Sequence, residues 1–133
     1  MSTVTVFDDA DMSLWYYPET GIVHHRIKGY LPPGGFRKLL SASAQLLETH
    51  SATKYVSDDR NNVVVDPEDI KWADDNWYPR VAKAGLRHWV LVLPSTMVGT
   101  LQAKSILETR RRQGLDVEGF GRIEDALAWL QSK

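Results

Sequence analysis

The sequence predicts an α/β domain: a mixed β-sheet with an antiparallel amino-terminal meander and a parallel carboxyl-terminal part, flanked by α-helices. Three observations carry this. Alternating and β-branched runs crowd the chain up to Lys28, with turn residues between them. From there helix-period and strand-like segments alternate to the end. The connections in that second part are long enough for parallel crossovers.

The elements follow in order. "TVTVF" alternates, "LWYY" is aromatic-rich and "IVHHRIK" is β-branched, with "PETG" as the turn before the third strand. After "GYLPPGG", Phe36, Leu39, Leu40, Ser43, Leu46, Leu47 and His50 share one face at helical spacing, giving a helix over roughly residues 33 to 49. "TKYVSD" is the next strand. Asp66 caps a second helix that has Pro67 at its first position and Glu68 and Asp69 at its positive end. Ile70, Ala73, Trp77, Val81 and Ala84 form its inward stripe, and Gly85 stops it. Pro79 offers no N–H to Asp75, so a kink or a break into two short helices is expected. "HWVLVLP" is apolar at both alternating sets of positions, as in a central strand covered on both faces. A helix from near Val98 to Gln113, the strand "LDVEGF" and an amphipathic helix with Ile123, Ala126, Leu127 and Leu130 inward complete the chain.

Composition bounds what such a domain does. At 133 residues, 43% hydrophobic and 25% charged, the chain has the size and mixture of one domain with one core, residues 1–133. A net charge of −1 and a pI near 6.4 give no global attraction to nucleic acid or to an acidic membrane. There is no cysteine, which removes disulfides and thiolate chemistry and fits a reducing interior. The acidic start "MSTVTVFDDADMSLW" is unlike a signal peptide, and no run approaches a membrane span, so a cytoplasmic location is expected.

The run "ATKYVSDDRNN", the stretch "DPEDIKWADDNWYPRVAKAGLRHWVLVLP" and the close "EDALAWL" together resemble the small bacterial stand-alone domains of STAS/SEC14 type, relatives of anti-sigma-factor antagonists. The similarity runs from about Gly21 to Leu130 and lies in element order and aromatic placement. It implies a mixed sheet flanked by helices, in a branch where many members have no established activity. In the switch-type relatives, a serine or threonine in the loop after the corresponding strand is phosphorylated by a partner kinase. A phosphate there would sit beside backbone N–H groups and reset an interface. Here the matching loop reads Asp58, Asp59, Arg60, Asn61, Asn62, and Ser57 precedes the two acids.

The candidate residues gather at that corner. Asp58, Asp59 and Arg60 suit either a polar contact at a sheet's carboxyl edge or simple turn and capping bonds. Val63, Val64 and Val65 form an apolar run in a loop that a soluble monomer would cover, and Trp72 lies about 140° from Trp77 on an ideal helix, hence outward or against that loop. This patch points to a non-catalytic interaction or regulatory module, self-associating in a two-fold pair or docking a regulatory protein. The alternative is a small-ligand or lipid-binding domain, its pocket lined by Trp15, Tyr17, Tyr55 and Trp89 between sheet and helices. An enzyme using Asp58 or Asp59 as a base ranks third, since no nucleophile with a nearby base is evident. No cofactor or metal is implied: His24 and His25 are adjacent in a strand and point to opposite faces, while His50 and His88 stand alone. Arg110, Arg111 and Arg112 read as a solvated helix end.

Overall fold

In the computed structural model, which describes residues 3–61 and 65–133, strands β1 (Val4–Asp8), β2 (Met12–Tyr17), β3 (Ile22–Ile27), β4 (Lys54–Asp58), β5 (His88–Val92) and β6 (Asp116–Phe120) form a six-stranded sheet. They lie side by side in sequence order. β1–β2 and β2–β3 are antiparallel, and β3–β4, β4–β5 and β5–β6 are parallel. The tight connections account for the first part. The Asp9 carboxylate accepts from the backbone N–H groups of Asp11 and Met12, folding the β1–β2 turn, and Gly21 supplies the left-handed residue (φ 71°) that closes β2 onto β3.

The crossovers are carried by α1 (Gly35–His50), by a helix made of α2 (Pro67–Trp72), a π-helical turn (Ala73–Trp77) and α3 (Tyr78–Ala84), and by α4 (Met97–Arg112); α5 (Ile123–Gln131) closes the chain. Parallel strands laid down in sequence order with crossovers of one hand must carry all their helices on one face. That is the arrangement found. α1, the π turn, α3 and α4 bury Leu39, Leu47, Trp77, Val81, Ala103 and Leu107 against Leu14, Val23, Tyr55, Trp89 and Leu91 of the sheet. The opposite face receives α5 alone, which packs chiefly over β4–β6 and encloses a smaller core of Ile22, Val56, Val90, Val92, Ala126 and Leu130.

Pro79 does not break the second helix. The backbone N–H of Tyr78 instead reaches the carbonyl of Ala73, five residues back, and helical dihedrals persist on both sides. A π turn takes up one extra residue, which is how a helix passes a missing donor without stopping. It also changes which side chains face inward. Five residues now make roughly one turn, so Trp72 comes round toward the side of Trp77 rather than lying about 140° away as on an ideal helix. α1 begins at Gly35, two residues later than expected, because Gly34 turns left-handed (φ 79°) after the Pro32–Pro33 pair. α4 begins at Met97 because the Thr96 hydroxyl accepts from the Gly99 N–H.

Candidate functional site

The parallel pairing of β3 with β4 sets His25 opposite Ser57 and Arg26 opposite Asp58. Side chains alternate across a strand, so His24 and Asp58 emerge on one face, and His25 and Asp59 on the other. The two adjacent histidines and the two adjacent aspartates thereby become two separate couples. Each is extended by a tyrosine. On the face covered by three crossover helices, the Tyr55 hydroxyl lies 2.5 Å from His25 Nδ1, and His25 Nε2 lies 3.0 Å from Asp59 Oδ1. On the α5 face, the Tyr17 hydroxyl lies 2.8 Å from His24 Nδ1, and His24 Nε2 lies 3.5 Å from Asp58 Oδ2. Arg60 Nη2 also donates to Asp58 Oδ2, at 3.0 Å.

The proton positions follow from what each group is able to do. A carboxylate only accepts, so in a neutral ring Nε2 carries the hydrogen toward the aspartate and Nδ1 accepts from the tyrosine. Burial raises the Tyr55 phenol far above its ordinary range, and it raises Tyr17 with the added effect of the Asp58 charge, so both tyrosines stay protonated and donate. Burial lowers His24, outweighing Asp58, and keeps the ring neutral. For Asp58, burial pushes the carboxyl up, but His24, Arg60 and Arg26 around it pull harder and the net direction is down.

The couple on the helix-covered face opens onto a chamber. Its floor is His25, Ser57 and Leu91 of the sheet, its walls are Leu40, Ile70, Trp77, Trp89 and Ile106, and Asp59, Asp74 and Arg110 reach it from the sides; the cavity volume is about 60 Å³. Phe36 and Val65 divide the chamber from an open groove of about 510 Å³ lined by Tyr30, Leu31, Pro32, Pro33 and Asp69. Arg110 is buried, its guanidinium 4.3 Å from the Tyr78 ring centre and 5.7 Å from that of Trp89, with Nη2 on Asp74 at 2.6 Å. It is therefore a wall of the chamber, whereas Arg111 and Arg112 take the solvated positions expected of all three. A larger open groove of about 620 Å³ between α4 and β6 is lined by charged side chains that are all exposed, and it carries no comparable convergence of buried polar groups.

The residues singled out from sequence are distributed as follows. Asp58 and Asp59 diverge to opposite faces and Arg60 follows Asp58, so the three do not share one rim. Val63 and Val64 lie outside the described residues. Val65 is half-buried, its N–H and carbonyl both bonded to the Gln102 side chain of α4 at 3.2 and 3.1 Å. Trp72, expected outward or on the valine loop, is half-buried against the main core, and the Arg37 guanidinium lies 5.4 Å over its ring. Of the four aromatics expected to line one pocket, only Tyr55 and Trp89 belong to the chamber side. Trp15 and Tyr17 stand on the α5 face, because Trp15 pairs with His24 and Tyr17 with Ile22. Ser57, the hydroxyl residue before the two acids, is buried and accepts from Trp89 Nε1 at 2.8 Å.

His25 and Arg110 were not picked out from sequence as site residues, whereas Tyr55 was, as a pocket-lining aromatic. The available signal was the matching parity of "HH" and "DD" on neighbouring strands. Among the described residues, no group of three or more His, Asp or Glu side chains is arranged to hold a metal, and no helix is long and apolar enough to cross a membrane. The chain matches no family model, no curated protein and no solved structure. Its likeness to STAS/SEC14-type domains is thus carried by the sequence features alone.

Proposed function

We propose that the protein is a small-ligand-binding domain that takes an amphipathic molecule between its sheet and its helices. The polar end meets His25 and Asp59 in the chamber, and the apolar body lies along Phe36, Leu31 and Tyr30. The observation that carries this reading is the Tyr55–His25–Asp59 chain, whose histidine is 2% exposed yet opens onto a largely apolar space. Buried polar groups that converge on an apolar pocket are the usual signature of a binding site. Chamber size limits what enters. About 60 Å³ accommodates a head group, and the remainder of a ligand must use the groove. The SEC14 side of the sequence resemblance points the same way.

Native mass spectrometry of the full chain purified from cells tests the reading: the expected result is a retained small molecule. Ile106→Trp, which fills the chamber from a half-buried position, should release it while leaving the melting temperature close to that of the parent. A bare parent protein, with Trp77 and Trp89 indole signals unmoved by a panel of fatty and aromatic acids, would overturn the proposal.

A second reading has its own support. Met97, Val98 and Leu101 are 80%, 61% and 62% exposed on the first turns of α4, beside the Gln102 that holds Val65. Large apolar side chains left uncovered in a group favour a protein contact, including self-association. Sedimentation at high concentration tests it: a dimer dispersed by Leu101→Glu supports the contact, and a strict monomer counts against the self-associating form.

A further inference from the structure

The second Tyr–His–Asp chain, on the face that α5 leaves largely open, has no part in the chamber. Its surroundings are unusual for a structural ion pair. Asp58 is fully buried and His24 is 5% exposed, yet Asp58 Oδ1, His24 Nε2, Arg26 Nε and Arg60 Nε are all buried without a hydrogen-bond partner among the described residues. Buried polar atoms are almost always paired, and four such atoms in one cluster require an explanation. A purely structural role does not supply one, since apolar residues of similar volume would fill the place at least as well.

The cluster is assembled from three neighbouring strands. Arg26 stands directly opposite Asp58 on β4 and Ser13 on β2, and the Trp15 ring lies 4.8 Å from His24 in the next row. Arg60 reaches back from the end of β4 onto Asp58, and Arg26 Nη2 donates to Asn61 at 2.9 Å. Asp8, two strands away in the same row, is occupied by Ser13 and Lys28. With His24 neutral, Arg26 and Arg60 against Asp58 leave one positive charge in surplus. The unpaired atoms are of two kinds: one carboxylate oxygen that needs a donor, and N–H groups, one on each guanidinium and one on His24, that need an acceptor, the last with only Asp58 Oδ2 at 3.5 Å. A plain anion satisfies only the second kind.

We infer that this face is a binding site for a small carboxylate bearing a hydrogen-bond donor on the neighbouring carbon, a 2-hydroxy acid or an α-amino acid. Its carboxylate lies on Arg26 and Arg60, its hydroxyl or ammonium donates to Asp58 Oδ1, and its body rests on Trp15. Arg60 is the cover. Its side chain is 36% exposed and folds over Asp58, so a rotation of this one side chain opens the buried carboxylate to the ligand. Arg pairs with carboxylates through two parallel N–H groups, a geometry that a lysine does not offer. The inference is independent of the chamber on the other face.

The test is titration of the isotopically labelled full chain with glycolate, glycine, acetate and inorganic phosphate, followed at the Trp15 indole and His24 ring signals. Glycolate or glycine should shift both, with binding at least about tenfold tighter than acetate, which lacks the donor. Whichever of the two binds more tightly separates the hydroxyl form from the ammonium form. Arg60→Ala should weaken binding by at least about tenfold with an unchanged melting temperature. Should that variant melt early, Arg26→Ala provides the same test. The assignment is overturned by the absence of any shift at these two residues up to about 10 mM ligand, by equal responses to acetate and phosphate, or by binding that survives both arginine substitutions.

Discussion

Removing a single oxygen tests the buried proton chain most directly. Tyr55→Phe conserves the ring and leaves no cavity of consequence, so the packing contribution stays fixed. What is lost is the donor to His25 Nδ1, in a place where both residues are at most 2% exposed and water does not substitute. A buried acceptor left unpaired costs about 1–3 kcal/mol. For 133 residues, an unfolding entropy of about 2.1 cal/mol/K per residue gives roughly 280 cal/mol/K, so the melting temperature should fall by about 4–11 °C. Calorimetry reads that drop, and long-range ¹⁵N spectra read the second consequence, a shift of His25 Nδ1 toward the value of a nitrogen without a donor. The contrast is Tyr17→Phe on the α5 face. Tyr17 is only half-buried, so water replaces the lost bond in part and the fall should stay under about 4 °C. If Tyr55→Phe melts within about 2 °C of the parent with His25 unmoved, the hydroxyl is not the donor and the tautomer argument fails.

Three further outcomes follow from the same geometry. Burial lowers His24, so between its folded value and the ordinary 6.5 the unfolded chain takes up a proton that the folded chain refuses. Stability is therefore complete above about pH 6.5 and declines as the pH falls below it; Asp58, held below 3.8, adds a second loss in the same direction at lower pH. Urea midpoints measured from about pH 7.5 down to about pH 4 check this, and a midpoint that rises on acidification contradicts it. Trp77→Ala empties the centre of the main core and removes the Nε1 donor to Leu40 O, at a cost of about 3–5 kcal/mol measurable by denaturant unfolding. Gly99→Ala should cost about 1–3 kcal/mol, because a Cβ there would meet the Thr96 hydroxyl at 2.7 Å and the Pro94 ring at 2.9 Å, against the cap of α4.

The sequence carried the architecture through periodicity. The meander, the alternation of strand and helix and the position of each crossover were all legible because each depends on local spacing. Trp72 and Trp77 show where such reading stops. Their separation on an ideal helix follows from 3.6 residues per turn, and Pro79 signals trouble, but the resolution of that trouble into a π turn depends on packing from α1 and the sheet. Arg110 is a second case. Its sequence neighbours made it one of three surface arginines, and only the close approach of Tyr78 and Trp89 takes it inward. The two histidine–aspartate couples stand between these extremes. Strand parity separates His24 from His25 and Asp58 from Asp59 without any coordinates, whereas joining one pair to the other requires the register of β3 on β4, which is a tertiary fact.

The strands lie in the order in which a ribosome delivers them. Each arriving segment meets the strand made just before it, so assembly during synthesis proceeds by addition at one growing margin, with no place that must be held open for a later insertion. The two margins that remain are blunted differently. The early one carries an irregularity between Thr5 and Phe7, and the late one carries Asp116 and Glu118. Both features discourage a foreign strand from continuing the ladder, so a half-made chain is exposed to mispairing mainly while β3, β4 or β5 is its outermost strand.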